Sequence, residues 1–360
     1  MTSGIVLSID GMGGDVGPEP VMGGMVRALD ERPDIRFLLH GDESVLRPML
    51  ARRQELSGAC EIRHAPDKVA MAQQPSQAIR SGRNSSMWHT LQAVAGGEAG
   101  AAVSGGNTGA LLAMSVLILR KAPGVSRPAI AVHWPSDHPT GYTTVLDMGA
   151  DLRADPEHLT QYAVMGSEYA KTSLHIETPR VGVLNIGTEA TKGPAEVREA
   201  AVQIAELAAS PDAGFSYIGF VEGTHLPTGQ VDVVVTDGFT GNVALKTGEA
   251  TARFIREALR RAFKHTWLSR IGYLFALTSL DRLRKRIDPR RVNGGVFLGL
   301  NGNVVKSHGG TDALGFCTAI LLAARMAERN FPGHLASQLA KLKIDGKSGV
   351  PSDGAERRAT

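Results

Sequence analysis

The chain has 360 residues, 42% hydrophobic and 21% charged, with a net charge of +3, the balance of a globular chain and not of a disordered one. Two cysteines, Cys60 and Cys317, lie far apart without metal-type spacing, which argues against a disulfide framework or a metal site and for a reducing cytoplasm. The start, M-T-S-G-I-V-L-S-I-D, lacks a basic region followed by a long apolar run, and no apolar stretch of about 18 residues occurs. The expectation is a protein neither exported nor membrane-spanning.

In chain order, I-V-L-S-I (5–9) reads as a strand and 18–30 as a helix; F-L-L-H (37–40) is followed by a helix over 43–56. Next come A-A-V-S (101–104) and an apolar helix over 109–120, then the strand-like runs 129–134, 143–147, 181–186, 215–220 and 231–236. Strand alternating with helix predicts an α/β fold with a largely parallel sheet covered by helices. Uninterrupted runs such as V-D-V-V-V (231–235) suit strands buried on both faces. Ligands of such sheets gather beyond the carboxyl ends of the strands, so chemistry is expected in the loops there. Without a composition break, residues 1–345 are expected to form one catalytic domain, and the polar tail 346–360 to be disordered.

The first loop, D-G-M-G-G-D (10–15), spaces Gly11 and Gly13 as G-x-G, but Gly14 comes one residue too early and Gly17 one too late for a dinucleotide fingerprint. Asp10, Gly13, Gly14 and Asp15 are substrate-binding candidates at a strand end. The turn S-G-G-N-T-G (104–109) has no Walker lysine, so it is not a triphosphate cradle. It is echoed by T-D-G-F-T-G (236–241), and both turns open helices whose first N–H groups attract anions. Gly106, Asn107, Thr108 and Gly109 of the first, and Asp237, Gly238, Thr240 and Gly241 of the second, are phosphate-binding candidates expected to face one cleft.

No G-x-S-x-G or H-E-x-x-H motif occurs, and Cys317 sits in an apolar helical context that suits a buried thiol. Lys192, in G-T-E-A-T-K-G-P (187–194), follows a buried strand; His308, in K-S-H-G-G-T-D-A (306–313), lies between a strand-like run and a glycine turn. Residues 264–291 hold eight Lys/Arg against Asp281 and Asp288, a local charge of +6. In that segment Trp267, Leu268, Ile271, Leu274 and Phe275 recur at helical spacing, followed by the basic run Arg284, Lys285 and Arg286. A core helix, a subunit contact, an anionic membrane surface and an acidic carrier protein stand as readings of it; nucleic acid does not, because a nucleic-acid binder more often spreads its basic residues over a face with aromatic stacking positions than concentrates them in one segment.

Taken together, D-G-M-G-G-D, S-G-G-N-T-G-A-L, G-T-E-A-T-K-G, V-T-D-G-F-T-G-N-V-A-L-K-T and K-S-H-G-G-T-D-A resemble the bacterial acyl-acyl carrier protein:phosphate acyltransferases, the PlsX family. The resemblance runs from Ile5 to about Arg329; Gly11 and Gly105 stand where the family usually has alanine, and H-G-G-T-D-A replaces H-G-S-S-D-A. It implies a Rossmann-like three-layer α/β/α sandwich, similar to phosphotransacetylases, with 264–291 as an inserted helical segment. It further implies a homodimer without cofactor or metal, working in the cytoplasm and attached at the inner face of the cell membrane in some members. The implied reaction is attack of inorganic phosphate on the thioester of a fatty acyl-acyl carrier protein, giving acyl phosphate for phospholipid synthesis. Lys192 would add positive charge at the phosphate, Asn242 would donate to the thioester oxygen, and His308 would orient phosphate or protonate the departing thiolate. The alternatives are a phosphotransacetylase-like enzyme using acyl-CoA and an NAD-dependent dehydrogenase of related fold.

Overall fold

The computed structural model describes residues 4–286 and 294–342. The expected tail at 346–360 and the end of the basic segment, 287–291, lie outside the described residues. The first half of the chain gives β1 (Ile5–Asp10), α1 (Glu19–Glu31), β2 (Ile35–Gly41), α2 (Glu43–Ala51), β3 (Cys60–His64), α3 (Pro75–Ser81), α4 (Ser86–Ala95), β4 (Ala101–Ser104) and α5 (Thr108–Ile118). Then follow β5 (Ala129–Pro135), β6 (Tyr142–Leu146), α6 (Pro156–Leu174), β7 (Arg180–Leu184), α7 (Ala195–Ala208), β8 (Ser216–Val221) and β9 (Val233–Val235). Two long helices, α8 (Gly238–Lys264) and α9 (Trp267–Arg286), precede β10 (Gly295–Leu298), β11 (Asn303–Lys306), α10 (Ala313–Glu328) and α11 (Phe331–Lys341).

The strands join in one sheet in the order β3-β2-β1-β4-β11-β10-β5-β6-β9-β7-β8. Helices pack on both faces, as the sandwich requires. On one face α1, α6, α10 and α11 bury Met22, Met25, Tyr162, Tyr169, Phe316 and Leu335 against Leu7, Ile9 and Val103. On the other, Met87 and Leu91 of α4 and Leu111 and Met114 of α5 cover Ala102, Ile130 and Val304. Helix α1 packs closely on α10, where a Cβ at Gly23 or Gly24 would stand 2.8 Å from the Cβ of Ala313 or Phe316. Glycine is needed there for two helix backbones to approach.

Strand direction reverses inside the sheet. β1, β2, β3, β4 and β11 run parallel, while β10 is antiparallel to both β11 and β5, and β5 is antiparallel to β6. β6, β9, β7 and β8 are again parallel to one another. The carboxyl ends of β1, β4 and β11 therefore open on one edge, and those of β6, β9 and β7 on the opposite edge. The two glycine turns begin on different edges, contrary to the expectation that they face one cleft directly.

Helix α8 connects these edges. It starts over β6 and β9, with Gly238 and Gly241 buried, and by Gly248 it lies on the ring of Trp134 near the far end of β5. The helical protrusion thus begins inside α8, well before residue 264.

Candidate active site

At the first edge, Asp10 ends β1, Ser104 ends β4 and Lys306 ends β11, with Lys306 in register beside Ser104. The Asp10 carboxylate is 1% exposed and accepts from Ser86 Oγ at 2.6 Å, Ser104 Oγ at 2.6 Å and Met12 N at 3.2 Å. Burial raises its pKa above the usual carboxylate range, against the lowering effect of those hydrogen bonds. Ser104 Oγ in turn accepts from Gly106 N at 3.0 Å. A Cβ at Gly13 would collide with the Asp10 carboxylate and come within 2.9 Å of Gly106 N. Asp10, read from sequence as a substrate contact, instead supports the 105–109 turn from beneath.

The loop after β11 closes this cluster. Asp15 N donates to Gly309 O at 2.9 Å, and Gly14, at φ +105°, packs against the same carbonyl. Lys306 donates through Nζ to Gly105 O at 3.1 Å and to Ser307 O, bridging two of the three loops. His308 is exposed, and its Nδ1 accepts from Gly310 N at 3.4 Å, so a neutral ring in that arrangement carries its proton on Nε2. Asn107 caps α5, accepting from Ala110 N at 3.0 Å, while its Nδ2 donates to Met71 O and Gln73 O at 2.7 and 2.9 Å. Its amide is committed to backbone, whereas Thr108 is exposed at the helix start and Gly109 lies against the Pro75 ring.

The second edge repeats this plan. Asp147 follows β6, is 0% exposed, and accepts from the backbone N–H groups of Ile130, Gly149, Ala150 and Asp151 at 2.8–3.0 Å. Burial again lifts the carboxyl pKa. A Cβ at Gly238 or Gly241 would run into Asp151 O or Asp147 O, so α8 can begin here only with glycine. Asp237 caps α8, taking Thr240 N at 2.8 Å and Thr240 Oγ1 at 2.7 Å. Asn242 is exposed beside Gly149 and makes no side-chain hydrogen bond among the described residues.

Lys192 stands on the same edge, in the loop after β7. Its ammonium pairs with Glu189 at 2.8 Å, which raises its pKa. The loop is held by the buried Asn185, whose Nδ2 donates to Lys192 O at 3.1 Å and whose Oδ1 accepts from Ile186 N at 2.9 Å. The structure thus groups Asp10, Gly13, Gly14, Asp15, the 106–109 turn and His308 at one edge, and Lys192, Asp237, Gly238, Thr240, Gly241 and Asn242 at the other.

Both capped helices present a positive dipole end, but their caps differ. Asn107 is neutral and leaves the start of α5 open to an anion; the Asp237 carboxylate already answers the start of α8. Sequence reasoning passed over Asp147, Ser86, Ser104 and Lys306 as site residues. For Asp147 a signal exists: D-M-G-A-D (147–151) after V-L repeats the pattern of D-G-M-G-G-D (10–15) after S-I.

In α9, Trp267, Leu268, Ile271, Leu274 and Phe275 form one stripe and all are exposed, Phe275 at 85%. Arg284, Lys285 and Arg286 occupy the last turn of that helix. No helix among the described residues is long and apolar enough to cross a membrane. Burial pushes the thiol of Cys60 up to about 12 and that of Cys317 up to about 11, far from the nucleophilic thiolate range. Among the described residues no group of three or more His, Cys, Asp or Glu gathers as a metal site.

Residues 5–334 match the family described as "Fatty acid synthesis protein". A phosphate acyltransferase of Jannaschia sp. (strain CCS1) is 53% identical over 350 residues, 97% of this chain and 95% of that one. Another, of Ruegeria sp. (strain TM1040), is 55% identical over 335 residues, 93% of this chain and 89% of that one. Among solved structures, the EutD phosphotransacetylase from Staphylococcus aureus superposes with a TM-score of 0.59 at 16% identity, covering 90% of this chain and 94% of that one. A phosphotransacetylase from Streptococcus pyogenes gives a TM-score of 0.60 at 18% identity, covering 91% and 95%. These structural likenesses speak for the fold, the α/β sandwich anticipated from sequence.

Proposed function

This chain belongs to the family of fatty acid synthesis proteins whose relatives are phosphate acyltransferases, and from that premise we propose that it transfers a fatty acyl group from acyl-acyl carrier protein to inorganic phosphate. The product, acyl phosphate, would feed phospholipid synthesis. A phosphate oxygen attacks the thioester carbonyl carbon, the carbon–sulfur bond breaks, and the pantetheine thiolate leaves with the electron pair. Phosphate is already a competent nucleophile, so positioning and oxyanion stabilisation supply most of the rate.

The observation that carries this reading is Asn242, an exposed amide on the flank of α8 without a hydrogen-bond partner among the described residues. There it is free to donate to the thioester oxygen as negative charge develops. Lys192, on the adjacent loop, adds positive charge to the same transition state once it turns from Glu189, an exposed pair of little intrinsic strength. His308 orients phosphate or gives a proton to the thiolate through Nε2. The protein works as a homodimer in this reading. The test is a comparison of donors: acyl phosphate should form from acyl-acyl carrier protein at least about tenfold more efficiently than from acyl-CoA. A preference for acyl-CoA would transfer the chain to the phosphotransacetylase-like alternative.

The exposed apolar stripe of α9 beside its basic last turn favours attachment to an anionic membrane surface, at the inner face of the cell membrane. Charge reversal at Arg284, Lys285 and Arg286 should weaken binding to anionic vesicles, each charge being worth about 1 kcal/mol near the surface, and added salt should do the same. Vesicle flotation unchanged by both treatments would remove this attachment mode.

A further inference from the structure

Helix α8 is long enough to carry a site at one end and a surface at the other. From Asn242, alternating steps of four and three residues lead through Lys246 and Glu249 to Arg253, Arg256 and Arg260, so these side chains share one flank of the helix. That flank is turned about a third of a turn from Gly248, the residue seated on Trp134. It is turned off the sheet, and Asn242, Lys246, Arg253, Arg256 and Arg260 are all exposed.

The flank divides into three parts. At its start stands the neutral amide of Asn242. Next, Lys246 and Glu249 pair at 2.9 Å and cancel each other's charge. Beyond them the helix turns basic: residues 250–264 hold four arginines and Lys264 against Glu257 alone, a local charge of +4. Arg253 and Arg256 have no ion pair among the described residues, and Arg260, 64% exposed, meets Glu257 at 3.7 Å. Unlike the α9 stripe, this flank presents no apolar side chain, so it offers a bilayer charge but nothing to insert. An acidic protein surface is the partner it fits, since arginine forks match carboxylates.

Reach identifies the acidic protein. Eleven residues along α8 lead from Asn242 to Arg253, about 16 Å of helix. A phosphopantetheine arm has about fourteen bonds from its serine oxygen to its sulfur, the length of about five extended residues, or about 17 Å. A carrier protein seated on the arginines thus brings its thioester to Asn242, its arm passing over the cancelled Lys246–Glu249 pair. We propose that the acyl-acyl carrier protein docks on the Arg253, Arg256 and Arg260 flank of α8, with its arm running down the helix to Asn242. This inference rests on the acyl carrier protein reading and gives that donor its place on the protein.

The test measures binding and donor choice. Free carrier protein titrated against the full-length protein at low salt should bind, and Arg253→Glu/Arg256→Glu/Arg260→Glu should weaken that binding by about tenfold or more. The neutral Arg253→Gln/Arg256→Gln/Arg260→Gln protein should lose a smaller part, and keeps the test open should the reversed protein not fold. The ratio of kcat/KM for acyl-acyl carrier protein to that for acyl-pantetheine, the arm without the protein, should fall by the same factor, through KM rather than kcat. Added salt should lower wild-type kcat/KM for the carrier-protein donor steeply, and that of the reversed protein far less. Wild-type carrier-protein affinity in the folded variants, or an equal loss with both donors, would overturn the proposal. So would loss of anionic-vesicle flotation or of self-association with carrier-protein binding intact, which would give the flank to a membrane or to a second copy. Failure of the acyltransferase reading is separately visible, as carrier-protein binding at the arginines with no acyl phosphate from either donor.

Discussion

An Asn242→Ala protein should melt with the wild type and lose about two to three orders of magnitude in kcat, the usual cost of removing one oxyanion donor. Stability should be spared because the amide is exposed and makes no hydrogen bond to the described residues, and alanine suits a helix interior. The loss should fall on kcat rather than on donor KM, since the bond to the thioester oxygen strengthens only as charge develops. Lys192→Ala should behave alike with a smaller loss, its Glu189 pair being exposed and its loop held by Asn185. If both folded variants make acyl phosphate at near wild-type rates, the second edge has no part in the chemistry.

Much of the fold could be read from periodicity. The runs at 5–9, 101–104 and 129–134 became β1, β4 and β5 because each is an apolar stretch buried between helix layers. Other bounds moved for local reasons. The run at 231–236 yields a strand only from Val233, because the buried Asp232 turns aside to bind Arg180, accepting from its backbone N at 2.7 Å and its guanidinium at 2.8 Å. The helix read over 43–56 stops at Ala51, with a single 3₁₀ turn at Gln54–Leu56 after it. Strand β3, C-E-I-R-H, went unread since its position near the sheet edge tolerates charges that mask the pattern.

The reversal of strand direction is what separated the two turns, and apolar periodicity carries no direction. Spacing does. Between β5 and β6 only residues 136–141 intervene, closed by Ser136 N to Gly141 O at 2.9 Å with Gly141 at φ +84°. A parallel crossover needs a dozen or more residues, so this short link already required an antiparallel pair. The burial of the Asp10 and Asp147 carboxylates was hidden for another reason: the sequence shows an acid at a strand end but not whether solvent, serine hydroxyls as at Asp10 or four backbone N–H groups as at Asp147 will receive it.

The central claim is that phosphate itself attacks the thioester, with no acyl group carried on the protein. The two cysteines fit that claim: both thiols are held far above the range of an active nucleophile, Cys317 buried in α10 and Cys60 partly buried in β3. The direct measurement is acyl exchange without phosphate. The protein is mixed with acyl-acyl carrier protein and an isotopically labelled free carrier protein, and both the carrier pool and the intact mass of the protein are followed. Direct attack predicts no label entering the acylated pool and no acyl adduct on the protein until phosphate is added, whereupon free carrier protein and acyl phosphate appear together. Exchange in the absence of phosphate, with an acyl adduct on the protein, would contradict the account and require a covalent nucleophile.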